Sequence, residues 1–289
     1  FKIVDFLIEK KFTKNSIILS CGGGVVGDLT ALASSLYLRG LIYCHVPTTI
    51  TAIVDSCIGG KTAINYRGII NSFGNYYHPK LVFIFYEIIK KIPNREFRSG
   101  IPEIIKCGLI KKNKILNILE KNKDEILNRN FKIFQKICAE TLKTKLFFFI
   151  KDEREKNIRL NLNFGHTFAH AIEMTLNFNN RKDFIQHGEA VGLGMLCEIY
   201  YSNIKKNKLY YRVEKILNQY SLVTNLKNII PKNVNKTEMQ KRIFANIFLD
   251  KKKIGIYPRY ISLKKIYKPN IAEIDDMTKL NETIYHLLN

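Results

Sequence analysis

Residues 16–46 read SIILSCGGGVVGDLTALASSLYLRGLIYCHV. The apolar run at 16–20 predicts a short buried strand, and 42–46 predicts a second. Between them a glycine turn leads into an Ala/Leu-rich stretch that predicts a helix over 29–38, closed by Arg39-Gly40. Strand, glycine turn, helix and strand make a βαβ unit, so this part of the chain is expected to be α/β with a parallel sheet.

Working outward, residues 1–12 predict the end of an amphipathic helix with Ile3, Phe6 and Leu7 on one side. Gly22, Gly24 and Gly27 match G-x-G-x-x-G between a strand and a helix. That pattern lets a pyrophosphate approach a helix N-terminus, or serves a tight turn with no ligand. The acidic residue expected after the second strand is replaced by Val46-Pro47-Thr48-Thr49, so an ordinary dinucleotide fold is excluded. Gly59-Gly60-Lys61-Thr62 is the second half of a P-loop, but Asp55 stands where the first glycine belongs, which argues against an ATPase. Lys61 is a candidate anion contact or a solvated loop lysine. A further buried strand is expected at 81–85, and Ile92-Pro93-Asn94-Arg95-Glu96 closes the α/β part.

From about Phe97 the pattern turns helical. Helices are expected over 112–127, 131–150, 163–177, 187–205 and 208–219, with 221–235 a looser connection. The domain division implied is 1–97 and 98–289. His166 and His170 are four apart on one helical face, and His187 with Glu189 opens the next apolar helix. Two core histidines bonded to carbonyls would explain the pair. The third histidine favours a metal or anion site.

At 289 residues the chain suffices for one large or two ordinary domains. No apolar run reaches the length of a membrane span, and the start is not a signal peptide. The start also lacks an initiator Met, which suggests an internal portion of a longer protein. Six cysteines are scattered singly, as expected in a reducing compartment such as the cytoplasm and unlike a cysteine-bound zinc site. The net charge of +22 comes from lysines that travel with Asn and Ile. No arginine-rich helix or aromatic–basic interleaving accompanies it, so a solvated basic surface is expected and no nucleic-acid partner.

Ten blocks carry a resemblance: GGGVVGDLT (22–30), YLRG (37–40), VPTT (46–49), VDSCIGGKTAIN (54–65), IPNRE (92–96), SGIPEIIKCGLI (99–110), DERE (152–155), LNFGHTFAHAIE (162–173), HGEAVGLGM (187–195) and DKK (250–252). In this order they resemble the 3-dehydroquinate synthase family. The resemblance implies an amino-terminal NAD-binding α/β domain, a Rossmann-like variant, followed by a mostly helical domain, with the active site in the cleft between them. It implies NAD and zinc, or another divalent metal such as cobalt, and a homodimer acting on a small sugar-phosphate substrate without a membrane.

The reaction implied converts 3-deoxy-D-arabino-heptulosonate 7-phosphate to 3-dehydroquinate and phosphate. Transient oxidation, β-elimination, reduction, ring opening and aldol closure follow one another. By resemblance the metal ligands are Glu103, His166 and His187, while His170 faces the substrate. Lys106, Lys145, Glu155, Arg159, Asn163 and His170 are implied in catalysis. Arg39, Asp55, Lys61, Asn71 and Lys251 or Lys252 are implied at the substrate. Gly23, Gly24, Val25, Asp28, Thr48, Thr49 and Lys61 are implied at NAD.

The sequence departs from the family pattern in places. Ile70 replaces a usual Lys, Lys91 a usual Thr and Pro102 a usual Ala, and about four extra residues lie between Glu173 and His187. The family's first strands, with a Gly-Glu-x-x-Lys segment at the cofactor, have no counterpart, so a fragment, or a partner supplying that part, is expected. Two other classes are a related cyclase or metal-dependent polyol dehydrogenase, and a truncated non-catalytic relative.

Overall fold

The structure, a computed structural model, describes residues 1–66, 69–177, 184–203, 205–231, 233–249 and 256–289. It divides into two compact units, Phe1–Gly100 and Ile101–Asn289.

The first unit opens with α1 (Lys2–Glu9), which buries only Leu7, against Tyr37 and Leu41. Tyr37 Oη donates to Phe12 O at 2.9 Å and to Leu7 O at 3.2 Å, which holds this corner. Ile3 and Phe6 on the same helix remain exposed. β1 (Ile17–Gly22), α2 (Gly24–Leu36) and β2 (Ile42–Pro47) form the βαβ unit, paired in parallel from Ile17↔Ile42 to Gly22↔Pro47. A polar segment then folds as an antiparallel hairpin, β3 (Lys61–Tyr66) and β4 (Ile69–Tyr76), which no apolar alternation announced. β5 (Leu81–Val82) completes a three-stranded parallel sheet of order β1-β2-β5, and α3 (Asn94–Ser99) follows.

Three expectations for this unit need correction. α2 starts at Gly24, not at residue 29, because the glycines belong to the helix. A Cβ at Gly27 would lie 3.0 Å from the His45 ring, so their bare backbone lets the first turn rest on β2. β1 is not buried on both faces: Ile17 and Leu19 are 61% and 62% exposed while Ser20 is buried. A short apolar run fits a half-buried strand as well as a buried one. The strand expected at 81–85 pairs only at Leu81 and Val82, and Phe83 and Phe85 beyond them are exposed.

The core of the second unit is α4 (Ile101–Ile110), in which every residue is buried. The other helices of the unit are α5 (Ile115–Lys121), α6 (Lys123–Leu127), α7 (Phe131–Lys151), α8 (His166–Leu176), α9 (His187–Asn203), α10 (Lys208–Gln219), α11 (Lys236–Phe248) and α12 (Met277–Leu288); α5, α7 and α9 pack on α4. The stretch expected as one helix over 112–127 breaks at Asn122, whose φ −119° and ψ 35° are not helical. α8 begins at His166, three residues later than expected, because Gly165 takes φ +85° and a short 3-10 turn, Ile158–Asn163, precedes it. The hairpin of β6 (Arg259–Ser262) and β7 (Asn270–Glu273) was also unannounced, since four-residue strands carry little periodicity.

α8 and α9 meet backbone to backbone. A Cβ on Gly194 would stand 1.9 Å from Gly165 O. Gly194→Ala must therefore separate the two helices, and we expect about 3 kcal/mol of lost stability, read from the denaturation midpoint.

Candidate metal centre and glycine turn

Glu103, His166 and His187 converge, although 63 residues of sequence separate the carboxylate from the first imidazole. Their ligand atoms lie within 4.8 Å of one another. Each is placed by a helix: Glu103 by the first turn of α4, and His166 and His187 by the first residues of α8 and α9. His166 Nε2 stands 3.5 Å and His187 Nε2 3.4 Å from Glu103 Oε1. Lys106, one turn on, pairs with Glu103 Oε2, and both side chains are almost wholly buried.

The outer ring nitrogens are held from behind. His166 Nδ1 lies 3.2 Å from Phe164 O, which accepts its proton. His187 Nδ1 lies 3.1 Å from Glu173 Oε2. Each Nδ1 is therefore a donor, and each Nε2 is the atom turned towards Glu103. Glu103 Oε1 is buried with no hydrogen bond. A carboxylate oxygen facing two imidazole nitrogens in a buried pocket calls for a positive centre between them. One carboxylate and two imidazoles suit a catalytic zinc or a similar divalent ion, with a position left for substrate oxygen. The residues present fit the metal.

Protonation follows the same geometry. Burial would raise the Glu103 pKa, but Lys106 and His166 outweigh it and hold the carboxyl well below its usual range. Burial and the Lys106 charge push His166 down to about 4, against the pull of Glu103. Burial opposes the charged form of His187, but Glu173 and Glu103 prevail and raise it to about 10.

The remaining candidates of this unit gather in part. The His170 ring lies 5.7 Å from that of His166 and 6.3 Å from that of His187, beside the triad but outside its donor set. Asn163 Nδ2 donates to Glu155 Oε1 at 2.6 Å, and Arg159 Nε lies 3.9 Å from Glu155 Oε2. The Arg159 guanidinium stacks on Phe149 at 5.1 Å and donates to Glu153 O. Asp152 shapes this loop by accepting from the main-chain N–H of Lys156, Asn157 and Arg159. Lys145 is buried in α7. Lys251 and Lys252 lie outside the described residues. Glu189 accepts from Gln186 N–H at 2.9 Å, as a cap of α9. Sequence reasoning passed over Glu173. Its signal was a seven-residue spacing from His166, two turns along the same face.

In the first unit the carboxyl ends of β1 and β2 bring the glycine turn beside Thr48 and Thr49. Thr48 N–H donates to Gly22 O at 3.0 Å, and a Cβ on Gly23 would lie 2.9 Å from Thr49 Cγ2. Gly23 caps α2 without a side-chain hydrogen bond, and Val25 is 75% exposed. Open amides at a helix N-terminus beyond parallel strand ends suit a dinucleotide pyrophosphate. Asp28 and Lys61 line one small pocket with Ser56, and Asp55 lies in the turn just before it. Arg39 and Asn71 are not brought to this group. Arg39 stands beyond the far end of α2, about 20 Å of helix away. Asn71 lies near the tip of the β3–β4 hairpin, five residues from Tyr76, the partner of Lys61.

Residues 1–99 match the family model for the 3-dehydroquinate synthase N-terminal region, and residues 100–253 that for the C-terminal region. The chain is 39% identical over 270 residues to the 3-dehydroquinate synthase of Dictyoglomus thermophilum, covering 92% of this chain and 72% of that protein. It is 38% identical over 278 residues to that of Clostridium tetani, covering 93% and 69%. The chain belongs to the 3-dehydroquinate synthase family. Among solved structures, a 2-deoxy-scyllo-inosose synthase complexed with carbaglucose-6-phosphate, NAD+ and Co2+ superposes with a TM-score of 0.82 at 25% identity, over 98% of this chain and 77% of that one. The 2-epi-5-epi-valiolone synthase of Streptomyces hygroscopicus, with NAD+ and Zn2+ bound, has the same fold, with a TM-score of 0.84 at 22% identity over 99% and 78%.

The raised pKa of His187 gives a direct test of its place in the triad. Its folded value of about 10 exceeds its ordinary 6.5, so the metal-free chain keeps this proton at pH 8 and loses it only near pH 10. A metal needs the bare Nε2. At pH 8 we expect about one proton released per bound zinc, measured by calorimetry in two buffers of different ionisation enthalpy. Binding without net release would contradict a His187 proton held in the metal-free chain.

Proposed function

We infer that the chain converts 3-deoxy-D-arabino-heptulosonate 7-phosphate to 3-dehydroquinate and phosphate, a lyase reaction of the shikimate pathway. The observation that carries this reading is the convergent Glu103–His166–His187 triad in a chain 38–39% identical to named 3-dehydroquinate synthases. The cofactors are NAD and a divalent metal, as in the solved cyclases of this fold. A metal in the triad supplies Lewis-acid polarisation of a substrate hydroxyl, and NAD supplies reversible hydride exchange.

The chain's own residues do the rest. Glu103, His166 and His187 hold the metal, and Glu173 fixes the His187 ring. Lys106 offsets the buried Glu103 charge and stands at the substrate's edge. Lys145, Arg159 and Lys61 bind the substrate's carboxylate and phosphate. Asp55 and either Lys251 or Lys252 extend that contact set. Glu155 and Asn163, already bonded to each other, orient substrate hydroxyls, and His170 stands ready to exchange a proton with substrate. Gly23, Gly24, Val25, Asp28, Thr48 and Thr49 hold the dinucleotide. The dinucleotide is served from 1–97 and the metal from 98–289. The working form is a homodimer in the cytoplasm; the free cysteines suit its reducing conditions.

The proton next to the departing phosphate is not acidic until the neighbouring hydroxyl has been oxidised. Omitting NAD, or replacing His187 by Ala, should therefore stop phosphate release and dehydroquinate formation together. The check is a phosphate and product assay on the heptulosonate phosphate with zinc present. Phosphate released at the full rate without NAD, from substrate stable alone, would contradict the reading.

A further inference from the structure

Glu198 is a carboxylate with no solvent exposure, on α9 eleven residues after His187. Burying an ionised carboxylate is costly unless donors hold it, and the reaction above makes no use of this one. Its Oε2 accepts from Gly165 N–H at 2.9 Å. Gly165 is the N-cap of α8, and the next residue is His166. The carboxylate thus sits at the positive end of the helix that presents a metal ligand.

The surroundings make this a lock between two helices. The α8 N-terminus packs directly on the backbone of α9. A Cβ on Gly165 would meet Met195 N at 2.9 Å and Val191 O at 3.0 Å, both on α9. Ser202 Oγ donates to Glu198 O at 2.6 Å, and Ser262 Oγ lies 3.0 Å from Ser202 Oγ, which ties α9 to β6 on the far side. α9 begins with His187, so the hydrogen bond from Gly165 to Glu198 fixes the origin of one ligand helix against the body of the other.

We propose that Glu198 is a positioning residue for the two-histidine pair, holding Gly165 N–H so that the Nε2 atoms of His166 and His187 meet at Glu103. The proposal rests on the reading of the triad as a metal centre. A cap that served stability alone would leave metal affinity and geometry untouched, so both must be read.

The test uses the full chain and Co2+, titrated against a competing chelator and followed by the visible d–d bands. The parent should bind one equivalent. Glu198→Gln keeps an acceptor for Gly165 N–H and should stay within about threefold of the parent, whereas Glu198→Leu should lose about 10–100-fold in affinity and shift the bands. Ser202→Ala, in the same buried network, should lower the melting temperature and move neither readout. A folded Glu198→Leu with parental affinity and spectrum would overturn the proposal. If that variant does not fold, Glu198→Asp decides, because its shorter side chain withdraws the acceptor: weakened binding supports the proposal and parental binding overturns it. A parent chain that binds no Co2+ would instead overturn the metal-centre reading.

Discussion

A carboxylate buried in the first turn of an all-buried helix needs positive charge around it, and Glu103 is that carboxylate. Lys106 supplies part of the charge from the next turn. The two imidazoles that face Oε1 supply the rest only when a proton or a cation lies between them and the oxygen. The second unit is arranged around this need. α8 and α9 both begin at the ligand histidines, and each outer ring nitrogen finds an acceptor that turns Nε2 inward. Removing the central charge leaves Glu103 to be balanced by Lys106 and a protonated His187 alone, so the site and the stability of the unit are linked.

The first unit meets a different constraint. A dinucleotide pyrophosphate needs bare amides at a helix start and no side chain in the way. Gly22, Gly23 and Gly27 are crowded by Val26, Thr49 and His45, so glycine there serves both the packing of α2 and an open approach to its N-terminus. The acidic residue that would usually take a ribose hydroxyl is absent from the end of β2, where Thr48 and Thr49 stand instead. That exchange is what separates this α/β unit from an ordinary dinucleotide fold.

The βαβ unit was legible because strand length, glycine turn and helix composition agree. The start of α2 was not, since glycine's low helix propensity hides a helix whose first turn is set by contact with β2. The β3–β4 hairpin was hidden by its polar residues, and β6–β7 by the shortness of its strands. His166 and His187 were visible as unusual residues on apolar helices. Glu103 was visible only through family resemblance, because no local spacing links it to histidines more than sixty residues away. Glu173 carries only its spacing from His166, and Glu198 looks like any acidic residue on a helix. Their roles come from the partners that tertiary folding brings to them, His187 Nδ1 and Gly165 N–H.

X-ray absorption spectroscopy of the zinc-loaded chain tests the central claim most directly. The account predicts a first shell of nitrogen and oxygen at about 2.0–2.1 Å, with the outer-ring scattering of two imidazoles and no sulfur. A sulfur shell near 2.3 Å, or scattering from fewer than two imidazoles, would contradict it.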